Sequence, residues 1–174
     1  MLIEPSFECK VLDLLRTHSS LGALVDANER YDPPRCMEGT RLSVMRKLEN
    51  WIQRDRGGEG NPSSIFWLYG GVGAGTSAIA QTLAEKFKKK GDLAAGFFFK
   101  ADGNRNDGNR LIPTLVYELI HSFPGVTPLV EEKIFQNPDL FKKTRRRQMF
   151  DLFVDGRHCR NSKRLLACRH RIPD

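Results

Sequence analysis

The chain has 174 residues, 40% of them hydrophobic, and a formal charge of +7, which suits one domain burying roughly two-thirds of its unfolded surface. No apolar run approaches the ~20 residues that cross a bilayer, and Met1-Leu2-Ile3-Glu4-Pro5 lacks the basic and apolar regions of a signal peptide. From Lys142 onward eleven lysines and arginines face three aspartates, +8, so the other 141 residues carry −1, and any polyanion argument rests on the last thirty-odd residues, where no nucleic-acid recognition motif is found.

In chain order, Phe7 to Leu15 reads as a short amphipathic helix with Phe7, Val11, Leu14 and Leu15 on one side, and a Ser-Ser-Leu-Gly break follows. Residues 1–30 are thus expected to form a leader. Tyr31-Asp32-Pro33-Pro34-Arg35 is extended, because each proline fixes its own backbone and turns the preceding residue away from helix. Thr40 can cap a helix to about Arg54, with Val44, Met45, Leu48, Trp51 and Ile52 as its buried stripe, and Gly57 to Pro62 ends it. Residues 31–62 are therefore a helical lead-in and linker.

Ile65 to Tyr69 is a continuous apolar run, as in a strand buried on both faces of a parallel sheet. Ser77 to Lys90 follows as a helix with Ile79, Leu83 and Phe87 inward, a basic last turn and Gly91 as its cap. Leu93 to Phe99 is a second buried strand and completes a βαβ unit of about 30 residues. A polar loop, Lys100 to Asn109, leads to a helix from Leu111 to Phe123 with Pro113 in its first turn and Leu115, Leu119 and Phe123 inward. Thr127-Pro128 opens a helix to about Gln136, and Thr144 to Val154 forms another, apolar at Met149, Phe150, Leu152 and Phe153. Residues 63–155 thus read as a partial α/β P-loop domain, a parallel sheet flanked by helices, and 156–174 as a basic, disordered tail.

Between the first strand and its helix, Gly70-Gly71-Val72-Gly73-Ala74-Gly75-Thr76-Ser77 follows the phosphate-binding pattern G-x-x-x-x-G-K-[ST] except that Thr76 stands where lysine is required. Glycines there let backbone N–H groups converge on phosphate oxygens, where the positive end of the helix dipole also points. Ser77 is placed to ligate Mg²⁺ beside the phosphates. Losing a charged hydrogen bond of about 1.5 to 3 kcal/mol weakens binding roughly 10- to 150-fold. Turnover suffers more, since the lysine also neutralises charge developing in the transition state. Lys100, Arg105 and Arg110, in the loop after the second strand, could approach the phosphates instead. The acid that would hold Mg²⁺ has one candidate, Asp155, in a segment that reads helical. His158-Cys159 and Cys168-Arg169-His170 match no common zinc spacing, and the four scattered cysteines suit a reducing, cytoplasmic setting.

Cys36-Met37-Glu38-Gly39-Thr40-Arg41, the helix ending in Trp51-Ile52, Ile65 to Gly70, Ala94 to Phe99 and Leu111-Ile112-Pro113-Thr114 together resemble the NACHT domains of fungal signalling proteins and are similar to the nephrocystin-like N-terminal P-loop domain. The resemblance covers about residues 31 to 153, and beyond Asp155 the residues read as a truncated terminus. It implies a STAND-type NTPase, a nucleotide switch that assembles a signalling platform. Gly70 through Ser77 would then hold ATP or GTP with Mg²⁺. With Thr76 in place of lysine and no acidic strand, the expectation is weak or no nucleotide binding, no hydrolysis and no catalytic residue. The alternative is a non-nucleotide protein-interaction fragment that associates with full-length NACHT-family proteins or with itself, and in either case no specific nucleic acid and no membrane is expected as a partner.

Overall fold

The apolar stripes of the longer helices pack against one another, and those pairings define the architecture. The computed structural model describes residues 7–54, 65–101, 103–154 and 164–168. Helix α1 (Phe7–His18) buries Val11 and Leu15 against Ile112, Val116 and Ile120 of α4 (Leu111–Ser122), Val130 and Ile134 of α5 (Thr127–Gln136), Leu140 and Leu152. The segment expected to be a leader is therefore part of the largest core cluster. The junction is also pinned by polar groups: the Ser20 N–H donates to Thr114 Oγ1 at 2.9 Å, and Arg110 donates to the Ser19 carbonyl at 2.8 Å.

A second cluster joins Met45, Leu48 and Ile52 of α2 (Leu42–Arg54) to Ile79, Leu83 and Phe87 of α3 (Thr76–Lys89). These are the stripes that the spacing predicts. The expected cap is different: Thr40 Oγ1 donates back to the Met37 carbonyl at 2.6 Å, and Arg41, at φ 58°, precedes the first helical residue. Helix α3 ends on Gly91 at φ 69°, whose N–H bonds the Lys88 carbonyl while Asp92 N–H reaches Phe87, the left-handed stop that only glycine adopts without steric cost.

Strand β1 (Leu93–Phe98) lies between α3 and α4, as alternation requires. Ala95 and Phe97 pack with Leu115 of α4, whereas Phe98 packs with Ala80 and Ala84 of α3. One edge of β1 pairs in parallel with β2 (Arg164–Cys168), with Phe97 opposite Ala167 and an irregularity between Leu93 and Ala95. α4 side chains serve the backbone elsewhere on β1: Glu118 accepts from Gly96 N–H at 2.6 Å and Ser122 donates to the Ala94 carbonyl at 2.9 Å. β2 falls within residues whose basic composition suggested a disordered tail.

Two features depart from the expected P-loop sheet. The described residues are mostly helical, and β1 and β2 are their only strands. Residues 65–70 are not a strand: Ile65, Trp67 and Tyr69 are 76%, 78% and 81% exposed, while Leu68 packs against the α2–α3 cluster and the Phe66 ring lies 5.5 Å from Trp51. Only Leu68 of the segment turns inward, and no residue of it lies in a strand ladder, because a ladder needs a partner as well as an apolar run. The last expected helix is present in two parts, α6 (Arg145–Met149), capped by Thr144, and a π-helical turn at Phe150–Val154.

Candidate functional site

The glycine loop enters α3 through two left-handed residues, Gly73 at φ 78° and Gly75 at φ 82°. A turn closes between them and the preceding residues, with Ala74 N–H bonding the Gly71 carbonyl at 3.0 Å. Gly75 is the helix N-cap; its carbonyl accepts from Ile79 N–H at 2.9 Å, and it has no side chain to occupy the amides of the first turn. Of the expected site residues, Gly70, Gly71, Val72 and Gly73 are exposed, and Ala74, Gly75, Thr76 and Ser77 are half-buried. All eight thus lie together at the N-terminus of α3.

Close packing explains why small residues are needed. A Cβ on Gly70 would meet Ala74 Cβ at 2.8 Å and Thr76 Cγ2 at 3.5 Å, so the Thr76 methyl lies against the base of the loop where the motif has a lysine stem. At Gly71 and Gly73 an added Cβ would meet nothing within 4 Å, which leaves open space on that side of the loop.

Of the three cations considered for the loop, Arg110 is committed elsewhere. Its guanidinium bonds the carbonyls of Thr17 and Ser19 and pairs with Asp107 at 3.8 Å. Lys100 N–H bonds the Arg105 carbonyl at 3.4 Å, which folds that loop on itself. Arg41 does stand beside the last of the glycines: a Cβ on Gly75 would stand 3.5 Å from its Nη2 and 3.9 Å from its Cζ. Nothing in the spacing of the motif marks Arg41, because the contact depends on how the turn before α2 meets the start of α3.

Several polar groups on the later turns of α3 are paired with the chain before it. Buried Gln81 accepts from Arg30 at 2.6 Å and donates to Glu85 at 2.7 Å, and Glu85 takes the Arg35 guanidinium at 3.0 Å. Lys86 pairs with Glu49 and Lys88 with Asp26, whose carboxyl is held below its usual range by that lysine. A shallow cleft of about 410 Å³ lies over this network, lined by Val25, Tyr31, Glu85 and Lys89 among others. It is lined by the later turns of α3, away from the glycine loop, and its Arg35 and Lys88 already have carboxylate partners.

The basic run after Lys142 is partly internal as well. Lys142 pairs with Asp139, and buried Asp151 receives Arg147 at 2.9 Å and Lys143 at 3.7 Å. Asp155, His158, Cys159, Arg169 and His170 lie outside the described residues. Among the described residues no cluster of three metal-ligating side chains is present, and no helix is long and apolar enough to cross a membrane.

The family model described as Nephrocystin 3, N-terminal, matches residues 40–168. The match begins at the turn before α2 and runs past Asp155 through β2, beyond the point where the motif resemblance ends. No curated protein and no solved structure matches the chain.

Proposed function

Because the chain belongs to the nephrocystin 3 N-terminal family, we propose that it is a cytoplasmic NACHT-type signalling module whose glycine loop holds the phosphates of ATP or GTP weakly and does not hydrolyse them. The observation that carries this reading is the pair of left-handed glycines delivering the loop onto the N-terminus of α3, followed by Thr76 rather than a cation. A helix N-terminus with glycine-borne amides favours phosphate. Thr76 adds neither charge nor reach.

A phosphate group fits the open side of this loop. For Mg²⁺ the donor assigned here is the Ser77 hydroxyl alone, whereas such sites commonly add one or two carboxylates. Ser77 would contribute to holding the ion beside the phosphates, and no hydrolytic step follows from it.

Titration of the full chain with fluorescent ATP and GTP analogues in the presence of Mg²⁺ tests the reading. The natural chain should bind in the high micromolar range or weaker, and Thr76→Lys should tighten binding about 10- to 150-fold without steady turnover. Micromolar binding with turnover in the natural chain would refute it.

A second reading is favoured by the exposure of Ile65, Trp67, Tyr69 and Val72 on one segment. Large apolar side chains grouped on a surface mark interaction sites, so this segment would associate with an intact family member or a second copy. Loss of co-purification on Trp67→Ser would support it, and unchanged association would count against it.

A further inference from the structure

We propose that Arg41 supplies the positive charge that Thr76 does not, so that the loop binds a polyphosphate chain through an arginine delivered from the turn before α2. This rests on the reading of the loop as a phosphate site.

Three observations carry it. The guanidinium lies against Gly75, 3.5 Å from where a Cβ would stand, so the glycine makes room for it. No carboxylate among the described residues pairs with Arg41, although Arg30, Arg35, Arg110 and Arg147 all have polar or acidic partners. Arg41 also holds φ 58°, a conformation that non-glycine residues adopt at a cost and that is retained where the surroundings demand it. Thr40 locks the turn by bonding Met37, and the Arg41 carbonyl accepts the Met45 N–H at 3.0 Å as α2 begins. The backbone from which the side chain springs is therefore held on both sides, at Thr40 and at the start of α2.

A guanidinium offers a planar fork that engages two phosphate oxygens at once, which a lysine cannot do. Its approach also differs from that of the motif lysine, which rises from the first turn of the helix itself. Arg41 would contact phosphate from the α2 side, so affinity would depend on the packing of α2 on α3.

The test is calorimetric titration of the full chain with ATP and, separately, with inorganic pyrophosphate. Arg41→Gln should weaken both at least tenfold, and Arg41→Lys should weaken them less. Adding Thr76→Lys to Arg41→Gln should restore binding, because the two cations serve the same anion. Arg46→Gln, an exposed cation elsewhere on α2, should change nothing. Arg41→Gly separates a binding role from a structural one: its melting temperature should equal or exceed that of the natural chain while binding falls. If the natural chain binds and Arg41→Gln binds equally well, the inference is overturned and the phosphate-loop reading stands. If neither the natural chain nor Thr76→Lys binds either ligand, both are overturned. Binding of pyrophosphate equal to that of ATP would place recognition in the phosphates alone.

Discussion

Replacing Leu15 by alanine asks whether α1 is an appendage or part of the folding unit. Leu15 is fully buried in the cluster formed with Val116, Ile120, Ile134 and Leu140. The substitution leaves helix propensity nearly unchanged, so its effect is the lost burial plus the cavity. Leu→Ala in a core costs about 2 to 5 kcal/mol, with the larger values where the walls cannot collapse. Here the walls belong to α4, α5 and the segment around Leu140, held apart by their own helices, so about 3 kcal/mol is expected. For a domain of this length each kcal/mol corresponds to roughly 2 to 4 °C in Tm, giving a loss of about 6 to 12 °C. Urea denaturation followed by circular dichroism measures it, with Arg16→Ala, exposed on the same helix, expected within about 0.5 kcal/mol of the natural chain. A loss below about 1 kcal/mol at Leu15 would show that α1 docks too loosely to count as core.

Two further expectations concern β1 and the loop. Burial holds the Glu118 carboxyl above its ordinary pKa of 4.5, and the Gly96 N–H only partly opposes this. A raised folded pKa means that this group stabilises most below 4.5 and that the contribution is lost as pH rises through the raised value. Glu118→Gln, which can still accept from Gly96, should flatten the denaturation midpoint between about pH 4 and 8, and an unchanged slope would refute the assignment. At the loop, Gly70→Ala should abolish nucleotide binding because its methyl meets Ala74 at 2.8 Å, whereas Gly71→Ala meets nothing within 4 Å and should be tolerated; equal effects in a binding titration would mean that the loop is not packed in this way.

The helices were legible because their burial is periodic: Ile79, Leu83 and Phe87 in α3 and Leu115 and Leu119 in α4 are buried at the spacing the residues suggest. β1 was legible as a run apolar on both faces, and both faces are covered. The same logic failed at Ile65 to Tyr69, since an apolar run says that a segment could pair and not that a neighbour is present. It failed in the opposite sense at Arg164–Cys168, where Leu165-Leu166-Ala167 is too short a run to stand out against its basic flanks. For the site, the glycine frame could be read directly, because turn chemistry is local. Arg41 could not, since its place beside Gly75 depends on a left-handed turn and on how α2 packs against α3.

The ties along α3 give that helix a mechanical polarity. Cys36 N–H bonds Thr82, Arg30 bonds Gln81, Arg35 bonds Glu85, Glu49 bonds Lys86 and Asp26 bonds Lys88, so the chain before residue 50 grips the helix from Gln81 onward. The helix behaves as a beam clamped at its distal end, with the glycine loop at the other. Small tilts imposed at the clamp, by a partner pressing on residues 24–36 or by loss of one ion pair, would be levered into displacements of the loop. Input from residues 24–36 would then reach the glycine loop as motion of a rod, alongside the contact that Arg41 makes with Gly75.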